Sequence, residues 1–125
     1  MLTFNLKKEW FEKIKAGEKT HEYREAKDYW DVRIYNAILG SIEAEDERQC
    51  EKAFLRLSIY GKNKSDFSIP GKNIPICFVL GYKGDNKIFA RAKRISLLTR
   101  KIDCLNTDLK SENPTYDIEF ELMEV

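Results

Sequence analysis

Hydrophobic and polar positions along this chain follow two periods, helical near the start and alternating later. Residues 1–5 suit a short strand, after which Asn5 is placed to cap a helix. In that helix Leu6, Trp10 and Ile14 share one face with Phe11 beside them, while Lys7, Lys8, Glu9, Glu12, Lys13 and Lys15 take the other. Gly17 follows where a left-handed terminal residue is expected, so it ends the helix. Residues 19–24 are short and hold Thr20 and Tyr23, which suits a strand. Trp30, Ile34, Ala37 and Ile38 then mark a second helix over 28–39, with Asp28 as its cap and Gly40 as its stop. Residues 41–52 are dense in acid (Glu43, Glu45, Asp46, Glu47, Glu51) and read as a solvated loop or an extension of that helix.

Beyond this point strands are expected. Leu55, Leu57 and Ile59 alternate with Arg56, Ser58 and Tyr60. Residues 61–72 carry Gly, Asn, Ser, Asp and Pro and read as a loop. Residues 74–82 form an apolar run whose Pro75 suits a strand's beginning. Residues 83–86 make a hairpin turn into a long arm over 87–98, with Gly84 available for a positive φ. After a loop at 99–115, Tyr116, Ile118, Phe120 and Leu122 alternate with Asp117, Glu119 and Glu121, a closing strand with one acidic face. The sum is an α+β fold: about six strands in a mixed or antiparallel sheet curled into a small barrel, with two helices near the N-terminus, in one domain spanning 1–125.

Composition supports a packed core, because 42% of residues are hydrophobic and 12% aromatic. With 22 basic and 21 acidic residues the net charge is +1, which excludes a polycationic nucleic-acid coat but leaves room for a local basic groove. No apolar run approaches the roughly 18 residues a membrane span needs, and the first residues have no basic head before an apolar stretch. The expected location is the cytoplasm, with no membrane partner. Cys50, Cys77 and Cys104 form no close pair and there is a single His, so neither a disulfide scaffold nor a metal site is expected. Gly-rich phosphate loops and nucleophile elbows are absent, and no cofactor is expected.

The chemistry concentrates at the first turn, in Gly17-Glu18-Lys19-Thr20-His21-Glu22-Tyr23-Arg24. Glu22 and Arg24 are two apart and share a strand face, whereas Lys19 has the opposite parity and joins them only if the strand begins irregularly. Charged residues at a barrel rim that point into a cleft have their fields strengthened by low-dielectric walls. The competing expectation is a surface ion pair with a snorkelling lysine. His21 has no nucleophile suggested by spacing and reads as an ordinary strand histidine.

Gly17, Lys19, Glu22 and Arg24 match the G-x-K-x-x-E-x-R signature of the ASCH domain, so the chain resembles that family, a relative of the RNA-binding PUA fold. The helix ahead of the motif is similar to the family's first helix. Glu25, Tyr29, Trp30 and Arg33 after it resemble a phage and bacterial subgroup, and Phe78-Val79-Leu80-Gly81-Tyr82 resembles the central strand pair. The resemblance implies a β-barrel with a motif-lined cleft for RNA or a modified nucleoside. It also implies two possible activities, hydrolysis of the acetyl amide of N4-acetylcytidine and ribonuclease action, with Lys19 and Glu22 as candidate catalytic residues. In amidohydrolase members a Thr nucleophile stands three residues after the Lys, where this chain has Glu22, so their mechanism does not carry over unchanged. Glu22 would instead act as a base on water, with Lys19 or Arg24 stabilising an oxyanion.

A second feature does not depend on that resemblance. Lys87, Arg91, Lys93, Arg94, Arg100 and Lys101 fall in a stretch without acids, while the acids gather at 43–51 and 117–124. Placed near Lys19 and Arg24, this arm would track a phosphate backbone while Tyr23, Tyr82 and Trp30 stack bases. Otherwise it blunts an edge strand. The expected ligand site is therefore Lys19, Glu22, Tyr23, Arg24, Tyr82, Arg91 and Lys93. In the remaining alternative, a protein-interaction module acting through the acidic segment 41–52, Lys19 and Arg24 would stand apart in solvent.

Overall fold

The computed structural model describes residues 1–41, 49–81, 86–99 and 114–123. Its elements in chain order are β1 (Leu2–Leu6), α1 (Lys8–Lys15), β2 (His21–Glu25), α2 (Asp28–Ser41), α3 (Gln49–Tyr60), β3 (Phe67–Pro70), β4 (Pro75–Leu80), β5 (Lys87–Leu98) and β6 (Thr115–Leu122). Tyr82, most of the acidic segment and the hairpin tip at 83–85 lie outside the described residues, as do Arg100 and Lys101.

The six strands form one mixed sheet in the order β1-β4-β5-β6-β2, with β3 paired to β5. Among the described residues only the β1–β4 pairing is parallel. The long arm β5 serves three neighbours: its first half runs against β4, its second half against β3, and β6 lies along its other edge. The sheet curls into a half-barrel whose two end strands come within side-chain reach. The Arg24 guanidinium of β2 donates to the Asn5 carbonyl of β1 at 3.3 Å.

The alternation of β1 and β6 survives in their burial, with Leu2, Phe4 and Leu6 inside on one and Tyr116, Ile118 and Phe120 inside on the other. The run Ile76-Cys77-Phe78-Val79 of β4 is buried on both faces, which accounts for its lack of alternation. Phe78 packs against Phe4 and Phe120, with ring centroids at 5.8 and 4.7 Å. Phe11 and Ile14 of α1, Ile34 and Ile38 of α2, and Leu55 and Ile59 of α3 complete the core. Cys77 is a buried free thiol.

Three expectations need correction. The alternating segment around Leu55 is helical, giving three helices among the described residues instead of two. Leu55, Ser58 and Ile59 are buried at helical spacing while Leu57 is 69% exposed, so the apparent alternation was accidental. The strand removed there is replaced by β3, which lies inside the expected loop at 61–72 and completes the sixth strand by pairing with β5. Asn5 and Gly40 do not bound helices. Asn5 is within β1, the α1 N-cap is Lys7 without a side-chain cap, and α2 runs through Gly40. Asp28 is the first residue of α2 and not its cap, because the first turn closes on the Lys27 carbonyl, which accepts from the Trp30 and Asp31 amides.

Candidate functional site

The site is built by the way α1 stops. Gly17 takes φ +78°, a conformation costly for any side-chain-bearing residue. The amides of Gly17 and Glu18 donate back to the carbonyls of Ile14 and Lys13 at 3.0 and 2.9 Å, the paired bonds of a Schellman ending. The Lys19 amide also bonds the Lys13 carbonyl at 3.2 Å, so the chain is still held to the helix there. Regular strand begins only at His21. Lys19 therefore escapes strand parity, the irregular start that its participation requires.

Lys19 is 3% exposed. Its ammonium lies 5.5 Å from the Trp10 ring centroid and 5.1 Å from that of Tyr23, with Glu22 Oε2 at 3.9 Å. Two aromatic faces and a carboxylate all attract a cation, which is how a buried lysine can keep its charge. Glu22, 5% exposed, pairs in register with Ile118, so its carboxylate turns to the core side of the sheet. Arg24 pairs with Tyr116 and takes the same side. Its guanidinium is 3.3 Å from Glu22 Oε1 and sits over Phe4 and Trp30, at 5.1 and 5.2 Å from their centroids. Arg24 Nε is buried with no hydrogen-bond partner among the described residues.

The result is a row of cation, anion and cation, held by aromatic rings at both ends. Trp30 contributes doubly, since it also stacks on Phe4 at 4.9 Å. Such a row resists rearrangement, because removing its anion leaves two cations facing each other in a poorly solvated place.

Lys19 opens onto a cleft of about 440 Å³ between the end of α1 and strands β5 and β6. Thr20, His21, Lys93, Glu119 and Glu121 also line it, whereas Glu22 and Arg24 do not. The three motif residues thus meet one another, but only Lys19 faces this hollow. Tyr23 is at the site with one face under the Lys19 ammonium. His21 turns to the outer side and its Nδ1 is 2.7 Å from Asp117 Oδ1.

Lys93 reaches the cleft because β5 bulges. The pairing with β6 shifts between Ala92 and Arg94, leaving Lys93 as the extra residue and letting Lys93 and Arg94 both face out. Gly71 packs against the bulge. Its amide bonds the Lys93 carbonyl at 2.8 Å, and a Cβ there would lie 2.4 Å from the Ala92 carbonyl oxygen. Arg91 is not in the cleft. Arg91 pairs with Glu121, and Lys93 approaches the same carboxylate at 3.9 Å. Basic β5 thus lies beside acidic β6, and their pairing offsets the charge separation visible along the sequence.

Sequence reasoning missed a second buried polar group. Asp31 is 1% exposed, accepts from Tyr116 Oη at 2.6 Å and pairs with Lys64 Nζ at 2.5 Å. Lys64 also donates to the Ala26 carbonyl at 2.7 Å. These bonds tie α2 to β6 and to the segment after α3. The signal was an acid on the apolar stripe of α2, three residues before Ile34 and seven before Ile38. Burial, and then the hydrogen bond to Asp31, push the Tyr116 hydroxyl far above its ordinary range. Burial and the Asp31 carboxylate also raise Tyr60.

Among the described residues no cluster of three or more His, Cys, Asp and Glu could hold a metal ion, and no helix is long and apolar enough to cross a membrane. No protein-family model, curated protein or solved structure matches the chain.

Proposed function

We propose that this chain is a cytoplasmic, PUA-like ASCH domain that binds RNA or a modified nucleoside at the Lys19–Glu22–Arg24 row. The observation that carries the reading is the convergence of three charged side chains from a helix–Gly–strand turn, with Lys19 and Glu22 at least nine-tenths buried. A motif serving only as surface decoration would leave Lys19 and Arg24 apart in solvent. Lys19 would hydrogen-bond a base or sugar oxygen in the adjoining cleft, which Lys93 also lines. Arg24, whose side chain keeps 24% of its surface exposed, would answer a carbonyl or phosphate oxygen. Glu22 holds both cations in place.

Binding is preferred to hydrolysis because Glu22 already pairs with both cations and does not line the cleft, so it is poorly placed to activate a water there. The test is fluorescence titration with short single-stranded RNAs at roughly 50 and 200 mM salt, alongside incubation with N4-acetylcytidine and RNA followed by product analysis. Saturable, salt-sensitive binding that weakens about tenfold or more in Lys19→Met, without products, is expected. Absence of binding at low salt, or identical binding by the variant, would overturn the reading.

A further inference from the structure

Asn5, whose carbonyl accepts from Arg24, also lines a groove of about 430 Å³ between β1 and α2. Its composition differs sharply from that of the Lys19 cleft. The Lys19 cleft sets Lys19 and Lys93 against Glu119 and Glu121, which nearly balance. Among the described residues Arg33 is the one charged side chain lining the β1–α2 groove, beside the amides of Asn5 and Asn36. An anionic strand meets no opposing acid among the described residues there.

Two further features suit a nucleotide. Tyr29 and Arg33, one turn apart on α2, form a stacked pair with the guanidinium carbon 3.3 Å from the ring centroid. Arg33 is anchored by donation to the Tyr29 carbonyl at 3.0 Å. Tyr29 is 57% exposed, and its inner edge is fixed against Trp30 at 5.1 Å. This is a preordered aromatic and guanidinium platform of the kind on which unpaired bases stack.

The other feature is the backbone of β1. The Leu6 carbonyl bonds the Gly81 amide on the β4 side. Residues of opposite parity, Thr3 and Asn5, therefore turn their amides and carbonyls to the outer edge, where the bond from Arg24 to Asn5 is found. The outer edge of β1 thus brings main-chain donors and acceptors to a groove that Thr3 and Asn5 line together with Tyr29 and Arg33.

We infer that the β1–α2 groove is a nucleotide subsite that takes one unpaired nucleotide of an RNA strand. The base stacks on the Tyr29–Arg33 pair, its edge meets the Thr3 backbone and the Asn36 amide, and a phosphate lies toward Arg33. The inference rests on the RNA-binding reading and extends it, since the Lys19–Glu22–Arg24 row would join two ligand-holding hollows.

The test uses a labelled single-stranded RNA of about eight nucleotides, with the full chain and three variants: Tyr29→Ala, Tyr29→Phe and Arg33→Ala. Tyr29→Ala should weaken binding at least about fivefold, while Tyr29→Phe retains it. Arg33→Ala should lower the slope of log affinity against log salt by about 0.7. Ultraviolet crosslinking followed by peptide mass spectrometry should place an adduct on Tyr29. If Lys19→Met weakens binding but Tyr29→Ala and Arg33→Ala do not, the subsite is refuted and the wider reading stands. If the unaltered chain binds no RNA at low salt, both fall. Protection of the Thr3 and Asn5 amides by an added extended peptide, undisturbed by RNA, would assign the groove to a peptide and overturn the subsite.

Discussion

Arg24 on β2 donates to the main-chain carbonyl of Asn5 on β1, closing with one side chain the gap between the two strands that end the sheet. The same guanidinium holds Glu22 at 3.3 Å and lies over Trp30. The charged row is therefore tied through Arg24 to both end strands of the sheet.

Glu22 is the member the row can least do without. Glu22→Gln keeps the shape but leaves Lys19 and Arg24 without the charge between them, so unfolding free energy should fall by about 3–5 kcal/mol. Lys19→Met leaves Glu22 with Arg24 and should cost less. Urea denaturation of the two variants gives the order directly, and a larger loss in Lys19→Met would refute this account of the row.

Tyr116 makes stability depend on alkaline pH. Its folded-state pKa is raised above the unfolded value, by burial first and then by the Asp31 carboxylate it bonds. Its contribution is fully present below about pH 10, where the unfolded tyrosine begins to ionise, and is lost as pH rises further. The slope should approach about 1.4 kcal/mol per pH unit. Tyr116→Phe should cost about 1–3 kcal/mol at neutral pH by leaving Asp31 Oδ1 without its donor, and it should flatten the decline between about pH 10 and 11. Equal slopes in the two proteins would contradict the assignment.

The helical reading of α3 separates two leucines two residues apart. Leu55 is 4% exposed and Leu57 69% exposed. Leu55→Ala should cost about 2–5 kcal/mol, and Leu57→Ala should stay within about 0.5 kcal/mol. A strand at this position would make the two losses similar, so thermal or chemical melts decide the matter.

Gly71→Ala tests whether the bulge positions Lys93. The added carbon meets β5 main chain and not a flexible side-chain end, so strand β5 must shift, at about 1–3 kcal/mol. Backbone amide shifts should spread through 92–94, and under the RNA-binding proposal affinity should fall with them. An unchanged spectrum at those residues would remove the bulge from the account.

Where apolar residues are spaced by real burial, the sequence was readable. Phe11 and Ile14, Ile34 and Ile38, and the alternation of β6 all lie where their periodicity puts them. Pro75 opens β4 as its missing amide requires. The segment around Leu55 misled because Leu55 and Ile59, four residues apart, fit either period over so short a span, and the exposure of Leu57 with the burial of Ser58 is what separates the two. Strand β3 was hidden by the turn residues around it and exists through its pairing with the far half of β5. At the site, the meeting of Lys19, Glu22 and Arg24 could be posed from Gly17 and two-residue spacing. Their facing could not, because it depends on where the strand begins and on Phe4 and Trp30 arriving from other elements. Asp31 was visible on its stripe, but its partners Lys64 and Tyr116 are 33 and 85 residues away.

The pairing order has a consequence for the nascent chain. Strand β1 joins β4, and β2 joins β6, its register partners being residues 115–119. During synthesis the motif-bearing strand leaves the ribosome long before the segment it must lie against. Until that last strand is made, the buried charges near the N-terminus wait in water, and the local turn after α1 is the one part of the site that can take shape early.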